Sequence, residues 1–342
     1  MKRTIYLDIL KIIAIIGVVL NHSYWYLASN NLVNYSFKVF ILFAVKFAVP
    51  IFLMVSGALL LHKKDSFKNV FFKRILRVLV PLIVITVIWS IFDKKNLMRL
   101  PIYFAELDVN NGAPYWGWYI YVLIAIYLVL PFLQKMVKNF KDNDYKMFII
   151  LFLIIPAFIT FGCKILDVFF SKSIYVTSYV TGTIFSEYIA LFVTGYYLSK
   201  QNITKKGKNV AIIALILSLA TALILEIINY TVYNNTILLD NCLLPTAIIP
   251  AISLFVIIKY YFNDGVKKEC AKKSIIYMSN LVFGIYLFHV FFVHIIYNFD
   301  FMKAIFSFNS FIGLLILDLL VFLFSGITVT LLRKIPIVNK FL

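Results

Sequence analysis

The chain has 342 residues, 63% of them hydrophobic and only 14% charged, with a mean hydropathy of +0.94. A soluble domain is about half apolar and about a quarter charged, so water cannot be the solvent for most of this chain. The 33 Lys and Arg outnumber the 15 Asp and Glu by 18, an excess that reads as membrane-orientation charge; with no soluble basic domain to carry it, no nucleic-acid partner is expected.

A bilayer core about 30 Å thick needs roughly 20 apolar residues per helix. The chain supplies ten such runs, approximately 5–28, 38–61, 74–92, 116–137, 146–162, 183–199, 209–230, 242–262, 275–297 and 309–332. They are continuous and rich in Leu, Ile and Phe, unlike the alternating strands of a barrel, so an all-α polytopic membrane protein is expected. Alternate loops hold 24 of the 33 basic residues, which places both termini in the cytoplasm. The Lys-rich loops also suit contact with membrane lipid headgroups. Asp8 and Lys11 interrupt the first run as a cleaved signal peptide would avoid. Residues 1–342 are expected to form one transmembrane domain with no appended soluble domain. Cys163, Cys242 and Cys270 are scattered without CxxC spacing, so neither a disulfide framework nor a metal site is expected.

Ionisable residues inside apolar runs cost roughly 2.5–3.5 kcal/mol each on insertion scales and therefore mark partners or chemistry. In the first run Asp8, Lys11 and His22 fall within a stripe about 60° wide, and Lys11 to His22 spans about 16.5 Å along the axis. A cation near one surface and an imidazole near the other suggest the wall of a polar shaft, with Asn21 pointing elsewhere. Lys46 in the second run lies at a depth close to that of His22. Ser56-Gly57, near that run's cytoplasmic end, permits close helix or ligand approach. Arg74 and Arg77, three apart, put two guanidinium groups on one face, an arrangement suited to phosphate. The polar loop Phe92 to Tyr115 is long enough to shape an outer vestibule. Tyr115-Trp116-Gly117-Trp118-Tyr119 reads as an interfacial aromatic belt. Asp318 is expected to neutralise Lys46 or Lys11, and His289 and His294, about 140° apart, do not share a face.

With these residues in view, the chain resembles the acyltransferase family 3 integral-membrane proteins over nearly its whole length. The basic-x10-His signature is Lys11 to His22, with Lys where Arg is usual. Val49-Pro50-Ile51-Phe52-Leu53-Met54-Val55-Ser56-Gly57 is similar to the second-helix motif, Arg74-Ile75-Leu76-Arg77 to the RxxR motif, and Trp118-Tyr119 through Tyr127 to Pro131 to the fourth-helix pattern. Phe283-Gly284-Ile285-Tyr286-Leu287-Phe288-His289 resembles the ninth-helix signature. His22 to Tyr26, with Lys46 before Val49-Pro50, is most similar to the short O-acetyltransferases of enterobacterial common antigen. The resemblance implies a multi-pass protein of a bacterial plasma membrane with no permanently bound cofactor. Its donor would be acetyl-CoA or another acyl-CoA arriving from the cytoplasm, and its acceptor a hydroxyl of a cell-envelope glycan or lipid-linked glycan. The expected catalytic residues are His22, Lys11 and Lys46, and the expected donor-binding residues Arg74, Arg77, Lys11 and Ser56. The alternatives are a transporter of a small polar solute such as an amino acid, and a sensory or scaffolding membrane protein.

Overall fold

A computed structural model describes residues 3–29, 31–94, 98, 114–170, 186–233 and 237–342, and every regular element among them is helical. In chain order these are α1 (Ile5–Ser23), α2 (Leu32–Val45), α3 (Ala48–Leu60), α4 (Phe67–Val70), α5 (Leu76–Phe92), α6 (Trp118–Lys138), α7 (Asp142–Ile149) and α8 (Ile155–Phe170). They continue with α9 (Glu187–Lys200), α10 (Lys205–Tyr233), α11 (Pro245–Phe262), α12 (Glu269–Tyr297), α13 (Asp300–Phe308), α14 (Ser310–Leu332) and α15 (Pro336–Asn339). Nine continuous helical segments among the described residues are long and apolar enough to cross a membrane. The expected sixth run corresponds to α9, which has 14 described helical residues, while 183–185 at its expected start lie outside the described residues. The chain is an all-α, multi-pass membrane protein.

Departures from uniform helix have identifiable causes. The second run breaks at Lys46 and Phe47 because Pro50 has no N–H to offer the Lys46 carbonyl, and the helix restarts with Ile51 N bonded to Phe47 O. π-helical turns over Phe71–Ile75 and Ile150–Ile154 join α4 to α5 and α7 to α8. The short α13, unanticipated in the sequence, fills the connection between α12 and α14.

Close helix packing is set by small residues, as expected where lipid provides no hydrophobic drive between helices. α3 and α9 cross backbone to backbone: a Cβ on Gly57 would lie 1.7 Å from the Phe192 carbonyl oxygen, and one on Gly195 would lie 1.9 Å from that of Met54. Gly17 lets α1 approach the break after α2, where an added Cβ would sit 3.3 Å from the Val45 carbonyl oxygen. Lys259 on α11 is buried and its Nζ donates to the carbonyls of Leu198, Ser199 and Gln201 at 2.8, 2.7 and 2.6 Å, closing the C-terminus of α9. α1 packs against α3 and α12, and α12 also packs against α14, so the first helix sits at the centre of the bundle.

Candidate functional site

Two cavities among the described residues contain the sequence-predicted site residues. The first, about 390 Å³, opens among basic residues and is lined by Lys11, Ser56, Lys73, Arg74, Arg77 and Arg333 together with the aromatic rings of Tyr119, Tyr127 and Tyr286. The second, about 340 Å³, is lined by Asn21, His22, Lys46, Asp240, Cys242 and Tyr188, and again by Tyr119 and Tyr286. The two chambers therefore share a partition. Its rings pack edge to face at 5.9 Å, Phe52 lies 5.9 Å from Tyr119, and the Tyr286 hydroxyl donates to the Trp116 carbonyl.

In the basic chamber, Lys11 and Arg74 are each held by a local carboxylate. Asp8, almost fully buried, accepts from Ser279 Oγ at 2.6 Å, Arg3 Nε at 2.7 Å and Lys11 Nζ at 3.1 Å. Lys11 is thus fixed on the wall by its neighbour one turn earlier, as the sequence spacing allowed. Arg74 donates to Asp65 from Nη2 at 2.6 Å and from Nε at 3.2 Å. The buried Gln134 amide donates to Asp65 and to the Leu60 carbonyl, and its oxygen accepts from Asp65 N. Burial pushes the Asp65 carboxyl up, but the Gln134 amide and the Arg74 guanidinium outweigh it and hold it below the usual carboxylate range. Arg77 has no ion-pair partner among the described residues and is left facing the chamber.

The second chamber is built around His22 and the helix break. Lys46 Nζ is ion-paired with Asp240. Asp240 belongs to the segment 237–244, held where Glu226 accepts from Leu239 N at 2.6 Å and Lys164 donates to the Leu238 carbonyl at 3.2 Å. Two further rings pack against the imidazole. The His22 ring lies 5.0 Å from that of His289 and 5.6 Å from that of Tyr115, centroid to centroid. Burial pushes the Cys242 thiol up to about 11, so it is a neutral thiol at pH 7 and not a thiolate nucleophile.

A family model described as an acyltransferase domain matches residues 4–332. The chain belongs to acyltransferase family 3. No curated protein and no solved structure matches it. As a membrane acyltransferase it needs one place for an acyl donor and one for an acceptor, and two chambers sharing a wall are two such places.

Relative to the sequence expectations, this acyltransferase brings His22 and Lys46 together in one chamber and Lys11, Ser56, Arg74 and Arg77 together in the other. Gly57 supplies the close approach and leaves Ser56 on the cavity side. Four expectations are corrected. The single open shaft is two chambers, because aromatic rings from α6 and α12 fill the middle. Asn21 does not point elsewhere but lines the chamber beside His22. Asp318 is buried beside Ser23 and pairs with neither lysine, since Asp240 takes Lys46 and Asp8 takes Lys11. The aromatic cluster at the start of α6 is only partly a belt: Tyr115 is exposed, but Trp116 is 2% exposed and sits edge-on against Trp89 and Phe291. Most of the expected vestibule loop, 95–97 and 99–113, lies outside the described residues.

Asp240, Tyr286 and His289 were not foreseen as site residues. Asp240 looks like any loop acid in the sequence. Tyr286 and His289 lie within the ninth-helix stretch that carried the resemblance, which was the available signal for them.

Proposed function

We propose that this acyltransferase moves an acetyl or other short acyl group from acyl-CoA to a hydroxyl of a cell-envelope glycan or its lipid-linked precursor, by direct transfer across the partition between its two chambers. The observation that carries the reading is the division of labour: the cations Lys11, Lys73, Arg74 and Arg77 line one chamber, the imidazole lines the other, and Tyr119 and Tyr286 belong to both.

In this reading the basic end faces the cytoplasm of a bacterial plasma membrane, consistent with the distribution of Lys and Arg. Arg77, Lys73 and Arg74 hold the donor's phosphates, Ser56 and Lys11 line the path of the pantetheine arm, and the thioester reaches the level of Tyr119. The acceptor hydroxyl enters the second chamber. His22 takes the hydroxyl proton as the oxygen attacks the thioester carbonyl, and the C–S bond breaks as the new C–O ester bond forms. The proton returns from His22 to the departing CoA thiolate, so the balance closes with no covalent enzyme intermediate. Lys46, steadied by Asp240, faces the oxyanion that develops on the carbonyl oxygen. The same features that resemble the short O-acetyltransferases of enterobacterial common antigen make acetyl the first donor to test.

Purified protein in liposomes, supplied with radiolabelled acetyl-CoA and an envelope glycan fraction, should label the glycan and release CoA. His22→Ala should reduce transfer by about 10²–10⁴-fold with acetyl-CoA binding retained. Solute flux without thioester cleavage would instead identify a transporter and overturn the reading.

A further inference from the structure

His289 stands beside His22 and is used by no step above. It is fully buried on α12, and its Nδ1 lies 2.7 Å from the carbonyl oxygen of Tyr286. A carbonyl can only accept, so Nδ1 carries the hydrogen and Nε2 of the neutral ring is left with a lone pair. Among the described residues Nε2 has no hydrogen-bond partner in its buried position, and an orphan of this kind calls for a physical reason. The reason lies across the helix contact: the His22 ring centroid is 5.0 Å away. Two imidazoles joined by an N–H···N bond of about 2.9 Å have centroids roughly 5 Å apart; the two rings stand at that centroid separation with their planes 53° apart and without the bond made, so a rotation of the His22 ring, without movement of either helix, would bring a nitrogen onto Nε2.

We propose that His289 is the positioning residue for His22, accepting the N–H of one His22 nitrogen on its own Nε2 so that the other His22 nitrogen presents a lone pair to the acceptor chamber. The relay runs from the Tyr286 carbonyl, to His289 N–H, to His22 N–H, to the hydroxyl being acylated. It does for a buried imidazole what a carboxylate does in a Ser-His-Asp site, fixing tautomer and ring orientation, but with a neutral acceptor that adds no charge to the membrane interior. When His22 takes up the hydroxyl proton, its bond to His289 becomes charge-assisted and strengthens, an advantage gained in the transition state and not before. The same Tyr286 that forms part of the chamber wall through its ring thereby sets the base through its backbone carbonyl.

The proposal rests on His22 as the base of the reaction above, and the test separates the two. The measured reaction is transfer of label from acetyl-CoA to an envelope glycan fraction by protein in liposomes, with acetyl-CoA KM and thermal melting read on each variant. His289→Leu is expected to lower kcat by about 10²-fold with the KM for acetyl-CoA unchanged. His289→Gln, whose amide can donate to the Tyr286 carbonyl and offer its oxygen to His22, should recover transfer to within about tenfold of the parent. In a His22→Ala background, His289→Leu should cost nothing further, since its effect passes through His22. A second apolar change, His289→Met, guards against a folding defect peculiar to leucine. The proposal is overturned if both apolar variants keep parental kcat, if His289→Gln is no better than they are, or if His289→Leu lowers the residual rate of His22→Ala as much as it lowers the parent. Parental activity in His22→Ala alone would remove the base itself, and with it the pairing, whatever His289 does.

Discussion

Replacing Gly57 by alanine tests whether the two chambers depend on the backbone contact between α3 and α9. An added Cβ would lie 1.7 Å from the Phe192 carbonyl oxygen and 2.6 Å from its carbon. An ordinary C···O contact is about 3.3 Å, so the helices must part locally by about 1.6 Å, and the obstructing atoms are backbone that cannot swing aside as a side chain would. Overpacking of this kind costs about 1–3 kcal/mol, and the upper end applies here. α3 carries Ser56 next to the substitution and begins two residues after Lys46, so both chambers widen or tilt together, and a displacement near 1 Å can cost about 10²-fold in rate. The assay is thermal melting of detergent-solubilised protein beside acetyl transfer in liposomes, with Gly326→Ala as control because nothing lies within 4 Å of its added Cβ. Gly195→Ala, which meets the Met54 carbonyl oxygen at 1.9 Å, should behave like Gly57→Ala, and the double variant should cost less than the sum because the helices separate once. Parental melting and transfer in Gly57→Ala would refute this account of the packing.

Arg77→Ala should raise the acetyl-CoA KM about tenfold, equivalent to about 1.4 kcal/mol, with melting unchanged; Arg74→Ala should lower melting as well, because Asp65, which Gln134 also holds, loses its guanidinium partner. Equal effects of the two on melting would contradict the division between a free and a tethered arginine. Lys259→Met strips three C-terminal carbonyls of their cation and should destabilise the fold by about 2–4 kcal/mol in graded SDS unfolding; an unaltered unfolding curve would show that the cap contributes nothing. Asp65 has a folded pKa below its unfolded value, so its stabilisation is present above about pH 4 and is lost as the pH falls through the folded value. Melting followed from pH 7 to pH 3 should fall less steeply in Asp65→Asn than in the parent, and matching acid limbs would count against the Asp65 clamp.

Much of the site was legible because membrane insertion penalises every polar group that lacks a purpose. Lys11, His22 and Lys46 stood out against apolar helix, and Arg74 and Arg77 against the start of the next span. Pairings were another matter. Asp240 gave no signal in a short polar loop, yet it takes the lysine that Asp318 was expected to take, because Glu226 and Lys164 hold its segment over the chamber. The aromatic run at the start of α6 carried the composition of an interfacial belt, and only packing against Trp89, Phe291 and Tyr286 shows that Trp116 and Tyr119 face inward.

Sequence alone determined the helical class, the approximate spans and the residues that break the apolar pattern, since hydrophobic length and charge placement are properties of a linear chain in a bilayer. Tertiary structure alone decided that the polar line along α1 is divided between two chambers, and that Tyr119 and Tyr286 divide it. Periodicity says which side chains share a face of one helix. What stands opposite that face depends on how α3, α6 and α12 cross it, through close contacts between residues far apart in the chain, and no local pattern carries that information.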